Sequence, residues 1–322
     1  MAERVGFEPT LRHNRKPDFE SGAFDHSATS PERARMIRAG GDGDNLRRDA
    51  PLPSPAAMDA DRFPDLPDGL HRIALADGRP AIAKVRRRAP AGFFAAEARG
   101  LAALAASKTL RVPLVHAVNR QGILLEDLGS GRPSIAQIVQ AGAALARMHA
   151  IRADTFGFDA DGWCGDSAQD NTPTRDGHAF FAERRLVPQA DRANVAGLLD
   201  RNDLRALDRI AARLVDLVPA APPVLVHGDL WTANLHACAS GELALIDAGA
   251  VHYGWAETDL AMLTLFGEPP APFFAEYESA AGIGSDWRER APVYNLYHLL
   301  NHLNLFGEGY LGSVRAILRR YG

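Results

Sequence analysis

Two short apolar runs, Val224-Leu-Val226 and Leu243-Ala-Leu-Ile246, enclose the polar stretch His227-Gly-Asp229-Leu-Trp231-Thr-Ala-Asn234, and the second run leads directly into Asp247. Runs this short and this apolar read as buried strands flanking a loop. The chain must therefore fold so that a core covers both strands while two carboxylates and a carboxamide stay at its edge. Chemistry explains the spacing. A carboxylate at Asp229 can orient a hydroxyl group and receive its proton. The amide oxygen of Asn234, about one helical turn further on, and the carboxylate of Asp247 are hard oxygen donors. They suit a magnesium ion that keeps water and phosphate oxygens as its other ligands.

On either side of this loop the pattern differs. Residues 70–75 and 81–85, joined across Asp77-Gly78, predict a β-hairpin, because Asp-Gly is a strong turn signal. A helix is predicted over about 92–106 and two further short strands over 112–118 and 122–128. The remainder is mostly helical, over 135–149, 177–187, 202–217, 257–266, 273–281 and 288–306. The expected fold class is α+β. A small β-rich lobe with a hinge covers 58–128, and a larger helical lobe carrying the polar loop covers 129–322.

Within the small lobe, Phe93, Glu97, Leu101 and Leu104 fall on one helical face, which places a carboxylate inside an apolar stripe. An unpaired buried charge costs roughly several kcal/mol, so Glu97 calls for a cationic partner on the facing strand. Lys84, alternating with Ala83 and Val85, is the candidate. Held in this way its ammonium would sit at a fixed point, suited to phosphate oxygens. Composition singles out the same residue. Of the 36 basic side chains only Lys16, Lys84 and Lys108 are lysine, so a lysine here survives against a strong bias toward arginine.

Other features exclude function classes. A net charge of -4 offers no electrostatic case for nucleic acid or an anionic membrane as partner. Cys164 and Cys238 have neither CxxC nor metal-ligand spacing, which rules out a disulfide framework or structural zinc and fits a reducing, cytoplasmic setting. No apolar run approaches membrane-spanning length, and no signal peptide is legible. Residues 1–57 lack periodicity and are expected to be disordered, or a misannotated extension whose stretches resemble a translated tRNA gene; the native start is then expected at Met36 or Met58. Gly40-Gly-Asp-Gly43 has no preceding strand and is no phosphate loop. His298 and His302 stand at i, i+4 among leucines and read as core or interface histidines.

The His-x-Asp-x-x-x-x-Asn loop followed by a strand and Asp has the spacing of a kinase catalytic loop and its metal aspartate. In more detail, His227-Gly-Asp-Leu-Trp-Thr-Ala-Asn234 and Asp247-Ala-Gly-Ala-Val-His-Tyr-Gly254-Trp-Ala-Glu257-Thr-Asp259-Leu-Ala261 resemble the fructosamine (ketosamine) kinase family, within the aminoglycoside phosphotransferase and choline kinase group. Thr155-Phe-Gly-Phe158, Phe180-Phe-Ala-Glu-Arg-Arg-Leu186 and Tyr297-His-Leu-Leu-Asn-His-Leu-Asn-Leu-Phe-Gly307 extend the resemblance over about residues 66–322.

The resemblance implies a protein-kinase-like two-lobe fold with ATP between the lobes. It implies that Lys84, held by Glu97, contacts the α- and β-phosphates, and that the backbone of Glu126, Asp127 and Leu128 forms the adenine hinge. Asp229 would serve the acceptor hydroxyl, Asn234 and Asp247 would carry Mg2+, and Asp259 would tie down the loop. Trp231, Asn171, Phe181 and Arg185 would build the sugar pocket. The implied reaction is phosphorylation of a sugar hydroxyl of a ketoamine, free or protein-bound, in deglycation.

Three departures stand out. The Gly-rich stretch is reduced to Pro67-Asp-Gly-Leu-His71, the family's Asp-Pro-Ala is Asp247-Ala-Gly249, and Gly177 stands where a Trp is usual. Alternatives that share the catalytic residues are a kinase for an aminoglycoside or choline-like acceptor and a nucleotide-binding pseudokinase module.

Overall fold

The computed structural model describes residues 66–322. The expected extension over 1–57, with Lys16 and both candidate start methionines, lies outside the described residues.

The Asp77-Gly78 turn joins β1 (Gly69–Ala74) to β2 (Pro80–Val85) as an antiparallel hairpin. Gly78 takes φ 82° there, a conformation that costs a glycine nothing. Helix α1 (Phe93–Ala106) follows, then β3 (Val115–Asn119) and β4 (Gly122–Glu126), completing a sheet of order β1-β2-β4-β3. Strand alternation sorts its two faces. Ala83 pairs with Leu124, and both join a small cluster with Ile73, Ala81 and Val85. Lys84 pairs with Ile123, whose side chain belongs to the main core with Phe94, Leu101 and Leu104 of α1. Lys84 therefore shares the sheet face that packs on α1. The strand expected over 112–118 begins at Val115 with a bulge before Ala117, and the one expected over 122–128 stops at Glu126, where the chain leaves the sheet.

The larger lobe starts with α2 (Ile135–Met148), whose first turn is closed by a reciprocal Ser134–Gln137 capping box. A small hairpin, β5 (Gly162–Cys164) and β6 (Ser167–Gln169), precedes α3 (Gly177–Phe181). The helix expected to end at Val187 instead passes through a π turn (Ala182–Leu186) into α4 (Val187–Val195). Pro188 falls just after the π turn, and the helical backbone continues through it. The helix expected over 202–217 is broken at Arg213 into α5 (Arg201–Ala212) and α6 (Leu214–Leu217).

Four strands of three residues come next: β7 (Val224–Val226), β8 (Leu235–Ala237), β9 (Leu243–Leu245) and β10 (His252–Gly254). They pair as β8 with β9 and β10 with β7. The chain then runs through α7 (Ala256–Met262), α8 (Ala271–Ala281), α9 (Trp287–Phe306) and α10 (Leu311–Tyr321). Helices α2 and α8 approach so closely that a Cβ on Gly142 would strike the Phe273 carbonyl. Among the described residues no helix is long and apolar enough to cross a membrane.

Gly177 has its own explanation. A Cβ there would lie 2.5 Å from the Phe156 ring and 2.8 Å from that of Trp255, so the space a larger residue would need is already filled by these two aromatic rings.

Candidate active site

Strand β7 delivers the polar loop, and Asp259 of α7 holds it. The Asp259 carboxylate accepts the His227 N–H through Oδ2 at 2.7 Å and the Gly228 N–H through Oδ1 at 2.9 Å. His149, at the end of α2, places Nε2 3.2 Å from the same Oδ2, and the Tyr277 hydroxyl lies 2.8 Å from its other ring nitrogen. Burial alone would raise the Asp259 pKa. The His149 contact, the neighbouring charges of His149 and His227 and the His227 amide outweigh burial and hold the carboxyl below its ordinary range.

His227 Nε2 sits 2.9 Å from the Ile246 carbonyl, which can only accept, so Nε2 carries the proton. Nδ1 is then free to accept from the Asp229 N–H at 3.3 Å. Burial lowers the pKa of His227 and favours this neutral tautomer. The ring thus ties the loop to the strand that ends beside Asp247. Gly228 is required as well. It has φ 80°, and a Cβ would run into the Ala250 carbonyl.

On the loop, Asn234 Nδ2 donates to the Asp229 carbonyl at 2.8 Å, which fixes the carboxamide with its oxygen directed away from that contact. The Asn234 carbonyl accepts the Ile246 N–H at 3.1 Å, binding β8 to the start of the Asp247 turn. Asp247 itself has φ 61°, an uncommon backbone state for a residue with a Cβ and one found where side-chain placement overrides local preference.

The two lobes meet at Lys84. Its Nζ lies 2.5 Å from Glu97 Oε1 on α1 and 3.1 Å from Asp247 Oδ1. Burial disfavours the ammonium, but the charges of Asp247 and Glu97 prevail and raise its pKa above the ordinary lysine value. Helix α1 also touches the Asp247 turn directly, since Gly100 faces the Ala248 carbonyl with no room for a Cβ.

The side chains of Glu126 and Asp127, expected at the hinge, are engaged in local contacts. Glu126 accepts from Arg111 Nη2 at 2.6 Å and from the Leu114 N–H at 3.2 Å. Asp127 pairs with Arg72 at 2.6 Å and accepts the Gly129 N–H at 2.8 Å. The Leu128 carbonyl accepts from the Ala239 N–H, which ties this segment to the loop after β8.

The residues expected to build a sugar pocket separate into three environments. Trp231 is half-buried on the loop, its ring 6.3 Å from that of Phe266 at nearly a right angle. Arg185 and Asn171 are brought together but enclosed: Nη2 donates to Asn171 Oδ1 and Nη1 to the Asp170 carbonyl, each at 2.7 Å. The guanidinium also stacks 4.5 Å above Phe180, and burial pushes its pKa down to about 10. Phe181 corrects the expectation. It is 4% exposed and packs against Trp255 and Tyr294, so its ring belongs to the aromatic core and lines no open pocket.

Sequence reasoning placed His298 in the core, and it is buried there, but Nδ1 stands 3.9 Å from Asp229 Oδ1. Burial drives its pKa down to about 3, so this is a neutral ring beside a carboxylate. No signal in the spacing marks that proximity, because α9 and the loop meet only through tertiary packing. Glu257, which matches the family motif and is expected to be structural, accepts two bonds from Arg290 of α9 at 2.6 and 2.8 Å.

Comparison with known proteins gives consistent results. A sequence model of fructosamine kinases matches residues 71–321. A Synechocystis protein described as a probable ketoamine kinase is 36% identical over 233 residues, which is 71% of this chain and 78% of the relative. The crystal structure of a fructosamine-3-kinase candidate from Thermobifida fusca superposes with a TM-score of 0.72 at 35% identity, over 78% of this chain and 90% of that one. The ternary complex of APH(2")-IIa with streptomycin and ATP superposes with a TM-score of 0.53 at 15% identity, a likeness of fold alone.

Proposed function

The chain belongs to the fructosamine kinase family, and from that premise we propose how its residues carry out the family's reaction, phosphorylation of a sugar hydroxyl on a ketoamine. Its fold is α+β and protein-kinase-like, and as a kinase it uses ATP.

In this reading ATP lies between the sheet and the larger lobe, its adenine against the backbone of residues 126–128. Lys84 binds the α- and β-phosphates as a point charge, with Glu97 holding it in place. The donor set of Asn234 and Asp247 is one carboxamide and one carboxylate, all oxygen, and it fits a magnesium ion that takes its remaining ligands from phosphate and water. When bound, that ion neutralises charge developing on the transferred phosphoryl group.

Asp229 positions the acceptor hydroxyl and takes its proton. The hydroxyl oxygen forms a bond to the γ-phosphorus as the bond from that phosphorus to the β,γ-bridging oxygen breaks, and ADP departs with that electron pair. A loose phosphoryl transition state needs mainly positioning and charge neutralisation. The clamp of Asp259 on the loop provides the positioning. Trp231 offers a face for the sugar, while Asn171 and Arg185 stand behind the pocket and brace its wall through Gln169 and Tyr297.

The observation that carries this reading is Lys84 bridging Glu97 of one lobe and Asp247 of the other, beside a loop whose Asp229 is fixed by its own backbone. A coupled ADP-release assay with fructosamines, ribulosamines, aminoglycosides and choline tests it. Turnover confined to ketoamines is expected. Turnover with an aminoglycoside or choline instead would overturn the acceptor, and loss of magnesium-dependent ATP binding in calorimetry would overturn the kinase reading.

A further inference from the structure

Beside Asp229 lies a group whose chemistry differs from the oxygen-only set of Asn234 and Asp247. Cys164 Sγ, at the end of β5, is 4.0 Å from His298 Nδ1 on α9, and His298 Nδ1 is 3.9 Å from Asp229 Oδ1. One ligand atom from each of the three lies within 4.8 Å of the others. Cys164 and His298 are 1% and 3% exposed, while Asp229 is half-buried, so the group opens only through Asp229.

We infer that Cys164, His298 and Asp229 form a thiolate, imidazole and carboxylate site for Zn2+, whose occupation removes Asp229 from phosphoryl transfer. The ligand chemistry selects the ion. Sulfur and nitrogen donors suit zinc and are poor for magnesium, which the oxygen-only set would take. Tetrahedral zinc with bonds of about 2.0–2.3 Å places its ligand atoms roughly 3.3–3.6 Å apart, so the two pairs that include His298 need to close by about half an ångström and the Cys164–Asp229 pair, within 4.8 Å, by up to roughly 1.2 Å. Three protein ligands leave the fourth position for water.

The surroundings hold the sulfur in place. Asn301 Nδ2 donates to the Cys164 carbonyl at 3.1 Å and approaches Sγ at 3.4 Å, and the Ser167 hydroxyl anchors the Asn301 oxygen at 2.5 Å. Such outer contacts orient metal ligands. On binding, the thiol S–H breaks, its proton passes to solvent, and the sulfur pair forms the S–Zn bond. No redox change is involved.

The inhibitory consequence rests on the role proposed for Asp229, but the site itself can be read without activity. Cobalt(II) is titrated into the full chain at saturating magnesium, following the near-ultraviolet thiolate-to-cobalt absorption band. The band is expected in the unaltered protein and in Cys238→Ser, and its absence from either overturns the site. It is expected to vanish in Cys164→Ser, and a band that persists there also overturns it. In ADP release, Cys164→Ser is expected to keep its zinc-free rate within about twofold while zinc inhibition weakens at least tenfold. Equal inhibition of both proteins overturns the regulatory claim, whereas an inactive chain that still shows the band would count against the proposed function alone.

Discussion

Asp259 holds the His227 backbone N–H at 2.7 Å with one carboxylate oxygen and spends the other on the next amide of the same loop. The loop that carries Asp229 is therefore positioned by a buried charge on a helix outside it. Replacing Asp259 by Asn substitutes an NH2 group for one acceptor and faces a donor with a donor. Asp259→Asn is expected to lose about 2–4 kcal/mol of stability and to lower kcat with it, read by urea denaturation and ADP release. Unchanged stability would remove the clamp from the account.

Acid sensitivity should begin at mild pH. Burial drives both His252 and His298 down to about 3 from an ordinary 6.5, so both are neutral when folded and charged when unfolded below that value. The unfolded state then binds more protons, and stability falls as pH drops below 6.5 toward 3. The expected slope is roughly 1 kcal/mol per pH unit for each histidine. Urea midpoints between pH 7 and pH 5 test this, and a flat profile would contradict it.

Lys84→Arg is the sharpest conservative test of the phosphate contact. Lys84 is wedged between Glu97 and Asp247, and a forked guanidinium cannot take the place of a compact ammonium there. A tenfold or greater fall in kcat/KM for ATP is expected, about 1.4 kcal/mol of transition-state stabilisation. Near-normal kinetics would exclude Lys84 from the mechanism.

Asp229→Ala separates chemistry from binding. The carboxylate that accepts the hydroxyl proton is lost, while Lys84, Glu97, Asn234 and Asp247 remain. Turnover should fall roughly a hundredfold or more, with the Kd for ATP in calorimetry little changed. Full activity would refute the assignment.

Two glycines distinguish damage to the site from damage to the fold. A Cβ at Gly100 meets the Ala248 carbonyl, between α1 and the Asp247 turn, whereas one at Gly142 meets the Phe273 carbonyl between α2 and α8. Both alanine variants should lose about 1–3 kcal/mol through overpacking. Only Gly100→Ala should also depress kcat, because it shifts the helix that carries Glu97. Equal loss of activity in both would show that the Gly100 contact has no special link to the site.

The residues proposed to carry the reaction were legible because each sits in a local pattern. Asp229, Asn234 and Asp247 follow short apolar strands, and Glu97 interrupts an apolar helical stripe that requires a cation opposite. The hairpin at Asp77-Gly78 was legible for the same reason, since the turn depends on two adjacent residues. The strands β5, β6, β8 and β10 were not: at three residues they are too short to show a period, and unlike Val224-Leu-Val226 and Leu243-Ala-Leu245 they are not continuous aliphatic runs. Helix α10 was also missed: no element was assigned beyond residue 306, although Val314, Ile317 and Leu318 bury one face of it.

By itself, then, the sequence determined which groups this protein brings to a reaction: one lysine kept amid arginines, a carboxylate and carboxamide at fixed spacing, and the family that shares them. The tertiary structure alone decided what surrounds those groups. It closed Phe181 into the aromatic core, turned Arg185 inward onto Asn171, and set Cys164 and His298 beside Asp229. The reason is range. A motif records residue types at fixed local spacing, whereas the environment of a side chain is set by packing that only the fold creates, from 14 residues apart for Arg185 and Asn171 to 134 for Cys164 and His298, which no local spacing encodes.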